Sequence, residues 1–308
     1  MGIVVIGTTF MDVKGYPLDT YIPAGRNAGR VAEVHGGVSR NIAEDMAHVG
    51  FAPTFVSSVD DSGLSADIIA RLDACGCDTR FVRSCEDGLG MWLAIFDETG
   101  DVVASMSRRS NLSSMEQTLA EEGDQIVSQA DAVCIEYDVD APILERTLEL
   151  AERHGKRVYA VVSNMTIACE RRDLLRKVTC LVCNQQEAGI LFSRDLDEAT
   201  PEQMLGVLGE CLSQTGLASM VVTMGAQGSV FASVGGESGW CPAHMVEVVD
   251  TTGAGDAFFA GTALGLTYGD GLEKACEIGT ALSASVITTE ENVCGHFSPE
   301  ELGLEISC

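Results

Sequence analysis

Basic residues are scarce in this 308-residue chain: 19 Lys and Arg stand against 46 Asp and Glu, a net charge of −27. Nucleic acids and anionic membrane surfaces are both held largely through Lys and Arg, so neither is expected as a partner. No apolar run approaches the ~18 residues that a membrane helix requires. The opening residues, Met-Gly-Ile-Val-Val-Ile-Gly, carry neither a basic leader nor a small-residue cleavage site, which makes the cytoplasm the expected location. Low-complexity tracts, long linkers and internal repeats are missing as well, and the expectation is one domain over residues 1–308. Hydrophobic residues make up 46% of the chain and charged ones 21%, a globular balance.

Cysteine is plentiful, with 12 residues, but no framework emerges from their spacing. Cys75 and Cys77 flank Gly76, and Cys180 and Cys183 form a lone C-x-x-C. A structural zinc site needs four ligands, and neither pair has a second pair at matching spacing. Cys180 and Cys183 also fall in an expected strand, where residues three apart face opposite sides. Buried free thiols are the expectation.

Short β-branched runs alternate with longer helix-like stretches. Strands are predicted over 3–6, 54–57, 132–135, 158–162, 180–183 and 220–223, and helices over 39–49, 64–75, 143–153, 201–215, 255–268 and 272–286. This order predicts an α/β fold with a central, mostly parallel sheet flanked by helices. Two segments depart from it. Residues 13–35 are rich in Gly, Pro and Arg, and residues 90–107 read as two strands joined by Asp97-Glu98-Thr99-Gly100, which has turn chemistry. Together they predict a small antiparallel β lid, serving either to cover a site or to pair with a second copy.

The most informative string is Asp250-Thr251-Thr252-Gly253-Ala254-Gly255-Asp256-Ala257-Phe258, a polar glycine-rich loop entering an apolar helix. Free N–H groups of Gly253, Ala254, Gly255 and Asp256 at a helix start would form an anion site. The Asp256 carboxylate beside them could take a proton from an attacking hydroxyl. The plainer alternative is a capping aspartate after a glycine turn.

That string resembles the C-terminal signature of the ribokinase-like (PfkB) sugar and nucleoside kinases. Gly36-Gly37-Val38-Ser39-Arg40-Asn41-Ile42-Ala43 resembles their N-terminal signature, Asn184-Gln185-Gln186-Glu187 their N-x-x-E motif, and Thr223-Met224-Gly225-Ala226-Gln227-Gly228 their nucleotide loop. The four motifs stand in the family's order and span essentially the whole chain. The resemblance implies a three-layer sandwich with a small β lid and ATP-dependent phosphorylation of a primary hydroxyl of a sugar or nucleoside. It implies Asp256 as base beside a cradle formed by Gly253, Ala254 and Gly255. Asp12, Gly36, Gly37, Asn41 and Glu136 would hold the acceptor's hydroxyls, though Glu136 also reads as a solvated carboxylate. Asn184, Thr223, Gly225, Gly228 and Thr280 would hold the nucleotide, with helix surface the alternative for Thr280. Glu187 would serve Mg²⁺, while Asp250 and Thr252 match positions that hold a monovalent cation, K⁺ in the family, whose requirement here stays open.

Within the family the chain is most similar to pseudouridine kinases, through the Arg40-Asn41 form of the first motif, residues 239–243 and residues 290–292. Phe10 replaces an Asn of many relatives two residues before Asp12; an aromatic there could stack on a base or simply pack in the core. Arg26, Arg30 and Arg40 are placed near the lid or substrate loop, where they could reach phosphate or base. The alternatives weighed are another sugar acceptor (ribose, fructose or a sugar acid), a catalytically weak nucleotide-binding regulator, and a dinucleotide oxidoreductase. The last is disfavoured because Gly7-Thr8-Thr9-Phe10-Met11 lacks the G-x-G-x-x-G spacing.

Overall fold

A computed structural model describes residues 2–269 and 271–304. Val, Ile and Thr runs become strands because branched side chains fit a pleated, half-buried surface. In chain order these are β1 (Ile3–Ile6), β2 (Phe10–Pro17), β3 (Gly29–Gly36), β4 (Thr54–Val59), β5 (Asp78–Ser84), β6 (Gly90–Phe96) and β7 (Val102–Arg108). They continue as β8 (Ala132–Glu136), β9 (Arg157–Val161), β10 (Cys180–Asn184), β11 (Ser219–Thr223), β12 (Ser229–Ser233) and β13 (Ser238–Cys241). The helices are α1 (Val38–His48), α2 (Gly63–Cys75), α3 (Ser113–Glu121), α4 (Gly123–Gln129) and α5 (Ala141–Arg153). After them come α6 (Met165–Cys169), α7 (Gln185–Phe192), α8 (Pro201–Thr215), α9 (Ala254–Tyr268) and α10 (Gly271–Ile287).

A nine-stranded sheet runs in the order β13-β12-β11-β10-β9-β8-β1-β4-β5, parallel except where β12 pairs with β11 and β13. Alternate residues along each strand face opposite layers. Ile3 and Val5 pack with α1, α2, α9 and α10, whereas Val4 and Ile6 pack with α3, α4, α5 and α8. Cys180 and Cys183 divide between the same two cores. All eleven described cysteines are free thiols, and Cys180 and Cys183 are buried, which fits a packing role better than a shared metal. Among the described residues no helix is long and apolar enough to cross a membrane.

A second sheet, β3-β2-β6-β7, carries the two segments that break the α/β alternation. Its β2–β3 and β6–β7 pairings are antiparallel and β2–β6 is parallel. The β6–β7 turn is stitched by Asp97, whose Oδ1 accepts from the N–H groups of Thr99 and Asp101. Six predicted helices and six predicted strands recur with small shifts at their ends, and α8 matches at both because Pro201 opens it and Thr200 with Gln203 forms a capping box.

The site-bearing helix α9 lies against α10 at backbone distance. A Cβ on Gly261 would meet Gly279 Cα at 2.8 Å, one on Gly265 would meet Ala275 Cα at 2.5 Å, and one on Gly279 would meet Phe258 O at 2.6 Å. None of these obstacles is a flexible side-chain end, so larger residues must push the helices apart. Gly279→Val should destabilise the fold by about 3 kcal/mol, read as a lower urea midpoint. An unchanged midpoint would show that the seam tolerates a side chain.

Candidate active site

Helix α9 begins where Gly253, at φ +83°, turns the chain without any side-chain cap. A side chain at that glycine would strike Asn292 O at 2.0 Å. A valine at this position would therefore collide with the C-terminal loop behind the turn and would not fill the anion site. Ala254 N–H is also not free, since it donates to Thr251 O at 3.3 Å. The N–H groups of Gly253, Gly255 and Asp256 have no backbone partner among the described residues. Asp256 is half-buried beside them, and burial pushes its carboxyl up to about 7 although Asn41 donates to it.

That donor comes from the far end of the chain's first motif. Asn41 Nδ2 lies 2.8 Å from Asp256 Oδ2. Asn41 Oδ1 accepts from Arg40 Nη1 at 2.8 Å, which leaves the amide nitrogen facing the aspartate. Arg40 itself is wholly buried and ion-paired with buried Glu44. It orients Asn41 and does not line a cavity; Arg26 and Arg30 are exposed, with the Arg30 guanidinium 4.7 Å from the Tyr16 ring centre. The expectation that Arg40 reaches phosphate or base is thus overturned by its burial.

Asp12 on β2 stands over the chain turn at Gly36 and Gly37. A Cβ on Gly36 would come within 2.7 Å of the Asp12 carboxylate, and Gly37, at φ +100°, abuts Thr8 O. Burial pushes Asp12 up to about 6, against the pull of Lys14 and Arg40. Glu136, at the end of β8, is buried and accepts from Thr8 N–H, Thr8 Oγ1 and Ser39 N–H at 2.8–3.0 Å. The solvated-carboxylate alternative is ruled out. Glu136 locks the β1–β2 loop to the first turn of α1, and sequence reading gave no hint of its partners Thr8 and Ser39.

A cleft of about 440 Å³ opens beside the α9 start, and Thr223, Gly225, Gly228, Ala254 and Gly255 are among the residues that line it. Thr280 lines it, which settles its placement on a cavity wall. The apolar wall of the cleft joins Phe258 of α9 and Ile287 of α10 to Val246 and Val248, and these last two were not foreseen because the 242–250 loop lacks any periodic signal. An apolar slot that also borders the unpaired N–H of Gly255 suits a ligand with a flat apolar part and an anionic tail.

The remaining site candidates are engaged locally. Asn184 and Glu187 form a capping box on α7: Asn184 Oδ1 accepts Glu187 N–H, and Glu187 Oε2 accepts Asn184 N–H, both at 2.8 Å. Neither lines the cleft, although Asn184 is registered beside Thr223. Burial raises the Glu187 pKa, and the charge of Asp138 adds to it. A carboxylate of this kind is a hard oxygen donor of the type a hydrated divalent cation takes. Asp250 Oδ1 accepts from Thr252 N–H and Oγ1, both at 2.8 Å.

A family model described as pfkB family carbohydrate kinase matches residues 2–294. The chain is 32% identical over 292 residues to a guanosine-inosine kinase of Exiguobacterium acetylicum, covering 94% of this chain and 95% of the relative. It is 24% identical to a pseudouridine kinase of Escherichia coli, covering 85% and 82%. A solved Arabidopsis thaliana ribokinase with ribose and ATP superposes with a TM-score of 0.83 at 21% identity, covering 99% of both chains, a likeness of fold.

Behind Asn41, fully buried Asp45 accepts Cys294 N–H at 2.6 Å, and its other oxygen has no partner. Burial pushes its carboxyl up to about 8. The native state therefore holds a proton that the unfolded chain releases near pH 4, so Asp45 costs stability as pH rises through roughly 4 to 8. Asp45→Asn cannot ionise. Its urea midpoint should fall less than the wild type's between about pH 6 and 8.5; parallel curves would show that Asp45 holds no such proton.

Proposed function

The chain belongs to the pfkB family of carbohydrate kinases, and from that premise we propose that it transfers the γ-phosphoryl group of ATP to the primary hydroxyl of a ribonucleoside. The observation that carries this reading is Asp256, a carboxyl pushed up to about 7 at the uncapped start of α9. A base of that strength takes a hydroxyl proton and returns it to solvent near neutral pH.

The acceptor oxygen attacks the γ-phosphorus in line, the bond to the bridging oxygen breaks, ADP leaves and the hydroxyl proton passes to Asp256. The N–H groups of Gly253, Gly255 and Asp256 face the charge on the moving phosphoryl group. Asn41 holds Asp256 in place, while Asp12, Gly36 and Gly37 hold the acceptor's hydroxyls and Glu136 keeps their loops together. The cleft of Thr223, Gly225, Gly228 and Thr280 takes the nucleotide's base and ribose. Mg²⁺, held near Glu187 and Asn184, supplies charge neutralisation on the phosphates when bound. K⁺ at Asp250 and Thr252 is the further cation of this reading, tested by replacing K⁺ with choline; turnover that does not fall removes it.

Guanosine and inosine are the first acceptors to test, given the relative of that name; pseudouridine is a second reading, favoured by the Arg40-Asn41 form of the first motif. The outer lid face, with exposed Val31, Leu93, Val102 and Met106, is proposed to pair with a second copy. Met106→Asp should convert a dimer to a monomer in light scattering, and a wild-type monomer would remove that pairing.

The decisive assay offers ATP with guanosine, inosine, pseudouridine, adenosine and ribose and follows the phosphorylated product. One of the nucleosides should be the best acceptor. Asp256→Asn should fold normally and lose roughly 10² or more in kcat. Wild-type kcat/KM should climb with pH through about 7, as Asp256 loses its proton. Near-wild-type turnover by Asp256→Asn would exclude it as the base.

A further inference from the structure

A second cavity, of about 430 Å³, lies between the end of lid strand β7 and the ends of β1 and β8. Thr8 and Glu136 belong to its wall, so it adjoins the acceptor site: Glu136 also holds the N–H of Ser39, two residues before Asn41. We propose that this cavity is a nucleobase pocket in which Phe10 packs against the base and Arg109 donates to the adjacent O6 and N7 acceptors of a 6-oxopurine. The assignment rests on the nucleoside-kinase reading above and names the base that reading leaves open.

Phe10 is kept in the wall by its neighbour across β2 and β6. A Cβ on Gly90 would fall 2.6 Å from the Phe10 ring, so only glycine leaves the ring where it stands. The ring stays partly accessible and lines the cavity, instead of joining the core as its alternative reading would have it. Aromatic rings at such a wall accept a flat heterocycle by stacking or edge contact.

The polar groups left over in the cavity are mainly donors. Both Glu136 oxygens accept from Thr8, with Ser39 N–H also on Oε1. Both Asp138 oxygens accept from Ser163, one from its N–H and one from its hydroxyl. Asn164 spends its side-chain oxygen on Ile167 N–H, which leaves its amide nitrogen free. Arg109 makes no ion pair or hydrogen bond among the described residues, whereas its neighbour Arg108 is bound to Asp87 and Leu89 O. Asp140, the other carboxylate of the wall, is exposed at the rim. Guanosine and inosine present O6 and N7 side by side as acceptors that match a guanidinium fork, while adenosine presents an amine donor in place of O6. A donor-rich pocket therefore selects the 6-oxopurines.

The test is steady-state kinetics of wild type and Arg109→Gln with inosine, guanosine and adenosine. Wild type should prefer inosine and guanosine. Arg109→Gln should lose roughly tenfold or more in kcat/KM for those two, chiefly through KM, with a clearly smaller loss for adenosine. Phe10→Leu should weaken all three nucleosides more than it weakens ribose. A wild type that uses inosine while Arg109→Gln loses nothing, or loses equally on adenosine, overturns the pocket alone. A wild type that phosphorylates sugars and no nucleoside overturns the nucleoside reading and this pocket with it.

Discussion

The hydrogen bond from Asn41 Nδ2 to Asp256 Oδ2 joins residues 215 positions apart and welds the two halves of the site. An amide side chain can be turned either way, and the wrong way would aim oxygen at a carboxylate. Arg40 removes that freedom by donating to Asn41 Oδ1, and Asn292 Nδ2 lies at 3.4 Å from the same oxygen. A charged donor bonds a carbonyl oxygen more strongly than a neutral one does, so the orientation is well held. Burying the Arg40 guanidinium is costly unless it is paired, and Glu44 one turn later on α1 supplies the pair. Replacing Arg40 would thus leave buried Glu44 with Arg71 and the His48 ring, and leave the Asn41 oxygen to the longer contact from Asn292 alone.

The helix that carries Asp256 is positioned by contacts that admit no side chain. Gly253 leaves room for the Asn292 carbonyl, and the α9–α10 seam runs through Gly261, Gly265 and Gly279. Close backbone packing on both sides fixes the direction in which the first-turn N–H groups point. Such preorganisation matters because dipoles that need no rearrangement stabilise developing charge without added cost.

The layered sheet was legible because its strands are short β-branched runs, buried along their length in β1 and β8, set between helix-length stretches. The first and last motifs were legible as site segments because glycines, Asn41 and Asp256 cluster in short strings. What stayed hidden has a common cause: it depends on partners distant in sequence. The role of Arg40 follows from the side-chain direction at Asn41, and the burial of Glu136 follows from Thr8 and Ser39, 128 and 97 residues away. The α7 capping box is local and could have been read from Asn184 and Glu187 as a helix start. Strand β5, with Asp78, Arg80 and Arg83 in its seven residues, hid its edge position behind a polar composition.

A chain with net charge −27 that handles a triphosphate faces an electrostatic problem that its own fold reduces. Its few cations are mostly committed elsewhere: Arg40 and Arg71 to Glu44, Arg108 to Asp87, Arg146 and Arg153 to Asp124. Binding must then rely on short-range donors, since long-range attraction is absent. Burial helps from the other side, because Asp12, Asp45 and Asp256 all hold protons more tightly than exposed carboxyls do. Around neutral pH the ground beside the α9 start is therefore less negative than the formal count implies. For the base proposed at Asp256 the same tendency is unfavourable, since an arriving polyanion pushes this carboxyl toward its protonated form, which cannot accept a proton. The Asn41 donor acts against that push, because its hydrogen bond favours the ionised carboxylate.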